Sequence, residues 1–276
     1  MQNQTKLFDT DALSLHRSRA AGSNTGAWFL HDFAADCVHE RLQDINRSFT
    51  KPAFVGWNAE IWQNALGLTV TTAPDAEKIA LAEKSYDLVV NGLTLHWAND
   101  PVGQLVQMRR ALQPDGLMIA ALFGGQTLNE LRTAFAEAEA RIEGGISPRV
   151  VPMGEIRDLG GLLQRAGFAL PVADSVTLTV EYDSPIHLMN DLRNMGETNS
   201  LMDRRRVLKR ETLAAAAEIY SSNYKTDGGR VAATFEIVFL TGWAPSADQQ
   251  KPLRPGSAQQ SLADALGTTE YDPDHS

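Results

Sequence analysis

A single cysteine, Cys37, stands in a sequence of 276 residues, which excludes a disulfide framework and fits a reducing, cytoplasmic setting. An excess of positive charge is also lacking. The formal charge is −9, whereas nucleic-acid binding needs a basic face that displaces counterions, so no nucleic-acid partner is expected. No run approaches the roughly 20 apolar residues of a membrane-spanning helix, so no transmembrane segment is expected; peripheral membrane contact stays compatible with the composition. Asp9 and Asp11 precede any apolar run of adequate length, so no signal peptide is expected. His16, His31, His39, His96, His187 and His275 show no ligand-like pairing with cysteine or acids, and no metal site is expected. The most consequential absence is a glycine-rich turn. The candidate first strand, Pro52-Ala53-Phe54-Val55, runs into Gly56-Trp57-Asn58-Ala59-Glu60-Ile61-Trp62, with two indoles where a nucleotide-binding α/β fold brings bare backbone against its ligand. Either Trp57 and Trp62 fill that pocket, which is the favoured reading, or a ligand stacks on them.

What is present is a strand–helix–strand unit from Ser85 to Gly125. Asp87 to Val90 is a short apolar run. Asp100 and Pro101 start a helix carrying Val102, Leu105, Val106 and Leu112 at helical spacing, and Gln113-Pro114-Asp115-Gly116 is a turn. Leu117 to Phe123 is the second strand, and the right-handed crossover implies a parallel sheet covered on both faces. With 43% hydrophobic residues the chain can bury a sizeable core.

An N-terminal arm and lid is read over 1–50, with Cys37 buried on a helical face beside Leu30, Phe33, Ala34, Val38 and Ile45. An α/β core follows over 51–173, edge strands with a helical insertion over 174–244, and a mobile tail over 245–276. Within the core, Thr127-Leu128-Asn129-Glu130 reads as a capping box, and Asp158 to Gly167 as a short helix. Ser175 to Tyr182 and Val231 to Trp243 alternate as strands and suit an antiparallel pair at a sheet edge. Arg204-Arg205-Arg206 with Lys209 and Arg210 is either a solvated helix face or a docking patch for an acidic partner.

Six stretches together resemble a known family. They are Tyr86-Asp-Leu-Val-Val with Leu95-His96-Trp97, Leu112-Gln-Pro-Asp-Gly-Leu, Gly124-Gly-Gln-Thr-Leu-Asn-Glu-Leu-Arg132, Gly144-Gly-Ile-Ser-Pro-Arg149, Asp191-Leu-Arg-Asn-Met-Gly-Glu-Thr-Asn199, and Leu240-Thr-Gly-Trp243 with Arg254-Pro-Gly-Ser257. The ordered set is similar to class I S-adenosylmethionine-dependent methyltransferase-like proteins related to the mitochondrial, arginine-modifying complex I assembly factor and, more distantly, to the biotin-pathway malonyl carrier-protein methyltransferase. The resemblance implies a seven-stranded Rossmann-like sheet and S-adenosylmethionine as cofactor, with Gly56, Trp57, Asn91, Gly92, Leu93 and Trp97 beside it. His96 is then a proton carrier or part of a packed loop capping the fourth strand. Glu197 and Trp243 are expected at the pocket mouth, where Glu197 accepts hydrogen bonds from a guanidinium.

The departures from that family fall in one place. The segment from Asn46 to Tyr86 is too short for a glycine turn, a ribose acid and an adenine motif together, and Gln126 replaces a common acid. Asp75 and Glu77 are candidates for the ribose acid, but a turn followed by a helix from Asp75 to Glu83 is favoured. Cofactor retention is thereby placed in doubt. The resemblance implies an assembly or scaffolding factor whose partner is a respiratory complex I subunit; the alternative is an active methyltransferase or a protein-arginine-modifying enzyme.

Overall fold

The computed structural model describes residues 6–22, 27–203 and 207–249. Met1–Pro245 form one compact unit; of the second, Ser246–Ser276, only residues 246–249 are described. The tail beyond them, the Arg254–Ser257 motif and Arg204–Arg206 lie outside the described residues.

The first unit opens with helices α1 (Thr10–Ala21) and α2 (Phe29–Asp44). Then come β1 (Pro52–Val55), α3 (Ala59–Leu66), β2 (Thr71–Ala73), β3 (Tyr86–Gly92), α4 (Pro101–Ala111) and β4 (Leu112–Phe123). After them follow α5 (Asn129–Glu143), α6 (Ile156–Ala166), β5 (Ala169–Tyr182), α7 (Pro185–Asn194), α8 (Arg210–Asn223) and β6 (Val231–Trp243). The strands form one sheet in the order β2-β1-β3-β4-β6-β5. Its first four strands are parallel and its last two antiparallel, as the edge-pair reading expects.

Period-two alternation divides the core between two faces. Leu88, Val90, Leu117 and Ile119 join Leu30 of α2, Trp62 of α3 and Phe135 of α5 on one side. Val89, Met118 and Ala120 join Leu105 and Met108 of α4 and Leu163 of α6 on the other. The expected Pro-Asp-Gly turn is a bulge within β4, where the register jumps from Tyr86↔Leu112 to Leu88↔Leu117. No helix among the described residues is long and apolar enough to cross a membrane.

Three expectations are corrected. Among the described residues the sheet has six strands rather than seven. The predicted helix from Asp75 to Glu83 is irregular chain instead, tied down by Lys6 on Glu77 (2.6 Å) and by the Ile79 amide on Gln107 Oε1 (2.9 Å). Tertiary contacts override its helical composition, and with neither helix nor strand there the sheet ends at β2. The capping box is not made either: the Thr127 hydroxyl donates to the Glu236 carbonyl (3.0 Å), and Glu130 accepts from the Thr234 amide (3.2 Å).

Candidate functional site

The carboxyl ends of parallel strands are where an open α/β sheet holds its ligand. Gly56 leaves β1 there, but the cradle is occupied by the chain itself. Trp62, fully buried on α3, leans on Phe54 with ring centroids 5.6 Å apart. A Cβ on Gly92 would lie 2.6 Å from both rings, and one on Gly56 would lie 2.7 Å from Phe54. Both positions are glycine because side chains of this protein need the room.

Trp57 meets Trp28 edge-on at 5.2 Å and His31 at 5.9 Å. Gly196 lies beneath it at φ +75°, where a Cβ would sit 3.1 Å from the indole. The Arg17 guanidinium is 5.5 Å from the Trp57 ring centroid. One Arg17 nitrogen, Nη1, donates to both carboxylate oxygens of Asp75 at 2.9 and 2.7 Å, with the two side chains only 10% and 11% exposed. Asp75 follows β2 closely, about 20 residues after the first-strand turn, the usual place of a ribose-binding acid. S-adenosylmethionine is the group that a methyltransferase-type fold implies, and these residues do not fit it. The candidate ribose acid, Asp75, is held by Arg17, Phe54 fills the space at Gly56, and Phe54 with Trp62 fills that beneath Gly92.

Beyond β3 the chain reverses at Leu93, buried and left-handed at φ +51°, a conformation costing on the order of 1 kcal/mol outside glycine. The Leu93 amide donates to Ala121 O (2.9 Å), and Asn91 pairs with Thr94 (3.0 Å). Asn91 is thus engaged within the turn. A 3₁₀ turn, Leu95–Trp97, then brings together three residues singled out in the sequence. Glu197 Oε2 lies 3.1 Å from His96 Nε2 and accepts from Trp97 Nε1 at 2.8 Å. Glu197 Oε1 and His96 Nδ1 are buried with no hydrogen-bond partner among the described residues. Burial raises the Glu197 pKa, but His96, Arg17 and the Trp97 indole together hold it below the ordinary value.

Glu197 and Trp97 border a cavity of about 280 Å³ whose wall includes Leu131, Phe135, Val151 and Phe235. Trp243 is not there, which corrects that expectation. It pairs with Leu117, whereas Ile237 pairs with Phe123 at the cavity end, so six residues of strand, roughly 20 Å, separate it from the site. Sequence reasoning missed the N-terminal strap beside Trp97: Phe8 meets that indole edge-on at 5.3 Å and exchanges two hydrogen bonds with Asn99. No local signal marks those contacts, which span some ninety positions. Among the described residues no group of three or more His, Cys, Asp and Glu could hold a metal ion.

The crossover topology and the site at the strand ends define a protein of the class I methyltransferase type. A family model described as a methyltransferase domain matches residues 52–120, from β1 into β4. The human protein named arginine-hydroxylase NDUFAF5, mitochondrial, is 35% identical over 285 residues, covering 94% of this chain and 83% of its own length. The chain belongs to that family. The Dictyostelium discoideum protein of the same name is 41% identical over 192 residues, and the match spans 69% of this chain but 44% of that one. A malonyl-[acyl-carrier protein] O-methyltransferase of Xylella fastidiosa (strain M23) is 35% identical over 188 residues, 68% of this chain and 60% of its own length.

His31 gives the cluster a pH signature. It accepts from Trp62 Nε1 at Nδ1 (3.3 Å), which requires a neutral ring, and burial pushes its pKa down to about 4. Arg17 and His96 push the same way and Glu197 opposes them. Between the unfolded value, about 6.5, and the folded one the unfolded chain binds the extra proton, so this contribution is full above about pH 6.5 and is lost toward pH 4. Stability is expected to fall by about 3 kcal/mol over that window. Glu197, with its lowered pKa, loses its contribution further into acid. Urea unfolding against pH should show a flatter slope for His31→Gln; an unchanged slope would remove His31 as the cause.

Proposed function

We propose that this chain is a methyltransferase-fold protein that works without the methyl donor, as an assembly or scaffolding factor for a protein partner presenting an arginine to Glu197. By resemblance that partner is a subunit of respiratory complex I. What supports the reading is the packing of Phe54, Trp57, Trp62 and Arg17 around Gly56, Gly92 and Gly196 at the carboxyl ends of β1 and β3, with the His96–Trp97–Glu197 cluster beside a mostly apolar cavity.

The cavity can take an arginine: its apolar wall takes the methylenes and the unused Glu197 Oε1 accepts from the guanidinium, while of the two arginines that also line it Arg149 is paired with Glu139 (2.7 Å) and Arg193 stands towards the neighbouring hollow. Trp97 and His96 hold Glu197 in place, so His96 is a positioning residue in this reading. The single cysteine supports a reducing, cytoplasmic setting for the protein. The relatives' printed name, an arginine-hydroxylase, favours a second reading in which the bound arginine is also modified.

Calorimetric titration of S-adenosylmethionine and S-adenosylhomocysteine into the full-length protein is expected to show no binding, and micromolar binding would overturn the cofactor-free reading. An arginine peptide is expected to bind wild-type protein and to lose most of its affinity with Glu197→Gln. A gain in the peptide's mass after incubation with cell extract and the protein, absent with the variant, would promote the second reading over the first.

A further inference from the structure

A small concavity of about 170 Å³ lies between α1 and α7, lined by His16, Arg19, Arg193, Asn194 and Thr198. Each of its side chains carries a hydrogen-bond donor, with His16 Nδ1 already 3.1 Å from Ser200 Oγ, and no carboxylate lines it among the described residues. The overall charge of −9 makes such a grouping uncommon on this surface. Arg19 and Arg193 both stand in the last turn of a helix, where the helix dipole favours a cation. The dipole explains one arginine per helix. It does not explain why two converge on one hollow with further donors between them.

Neither arginine is in an ion pair among the described residues; Arg193 Nη1 donates to Asn190 Oδ1 (3.3 Å). The hollow adjoins the Glu197 cavity, since Arg193 and Thr198 line both. Thr198 directly follows Glu197. A ligand in the cavity therefore emerges beside two guanidinium groups, which offer the fork geometry that binds a carboxylate at two points.

We propose that Arg19 and Arg193 form an anion subsite that receives an acidic side chain of the partner segment whose arginine enters the Glu197 cavity. The proposal rests on the arginine reading above and adds to it a rule for the partner: an acid placed near the arginine. Opposite charges then set the register, Glu197 on the arginine and the subsite on the acid, so that a segment bound in reverse leaves both unpaired.

The test uses fluorescent peptides with one arginine and a single Asp moved along the flanking positions, against Asn and Lys at each, titrated into the full-length protein. At one position Asp is expected to bind about tenfold tighter than Asn, and the preference should shrink with salt and invert toward Lys in Arg193→Glu. Affinities of Asp and Asn peptides within twofold at every position would overturn the subsite and leave the arginine reading standing. If no arginine peptide binds, that reading fails, and the subsite is decided by the Arg19 and Arg193 Nε–Hε resonances during titration with glutarate and with inorganic phosphate. Saturable shifts with glutarate support a carboxylate subsite. Shifts with phosphate alone assign an adventitious ion only, and no shifts with either overturn the proposal.

Discussion

Arg17→Ala is expected to lower the unfolding free energy by about 3–5 kcal/mol, the range found when one partner of a buried ion pair is removed. The magnitude comes from what stays behind. Asp75 is 11% exposed, its carboxylate has Arg17 on both oxygens, and truncation would strand that charge away from water. Trp57 would also lose the guanidinium over its ring. Replacing both members by apolar residues, Arg17→Met with Asp75→Leu, should restore most of the loss, because no unpaired charge remains. Urea unfolding followed by tryptophan fluorescence measures both, with an unchanged slope on denaturant as the check that only stability moved. A loss below about 1 kcal/mol for Arg17→Ala would put the pair among ordinary surface ion pairs and remove it as the clamp of α1. Freeing Asp75 in this way should not create affinity for S-adenosylhomocysteine, because Phe54 and Trp62 still fill the space beneath Gly92.

Patterns carried by neighbours in sequence were the legible part. The strand–helix–strand unit from β3 to β4 and the alternating β6 follow from capping, turn chemistry and periodicity, each spanning a few residues. Two indoles in place of a glycine turn marked the first-strand turn as unusual, and that signal was local as well. What stayed hidden was long-range. Arg17 falls within the stretch read as an N-terminal arm, and nothing near it announced Asp75, fifty-eight positions away. β2 is three residues long, too short for any periodicity, so Asp75 lost its place at a strand end and was assigned to a helix by composition. Trp243 failed for a related reason: a strand shows which residues share a face, not which end of the sheet a residue reaches until its partner register is known. His96, Trp97 and Glu197 were each named from sequence, yet their meeting depends on a contact across a hundred positions.

Trp62→Ala is expected to cost about 3–5 kcal/mol, as for other fully buried aromatic residues, and the size follows from its surroundings. Its ring lies against Phe54 and leaves no room for a Cβ at Gly92, so truncation opens a void that a sheet strand on one side cannot collapse to fill. Trp62→Phe separates packing from polarity. The smaller ring keeps much of the contact but removes the Nε1–H that His31 accepts, leaving a buried acceptor unpaired, and about 1–3 kcal/mol is expected from that alone. The order Ala worse than Phe, and Phe worse than wild type, tests the assignment; equal losses would mean that the hydrogen bond to His31, rather than the filled volume, governs the site. The void left by Trp62→Ala opens beside Phe54 and beneath Gly92, at the end of β3. It should have no affinity for S-adenosylhomocysteine while Arg17 holds Asp75 and Trp57 occupies the first turn. If calorimetry found micromolar binding in Trp62→Ala alone, that one indole would be what separates this chain from a cofactor-binding protein, and the scaffolding reading would then rest on a single side chain rather than on a rebuilt site.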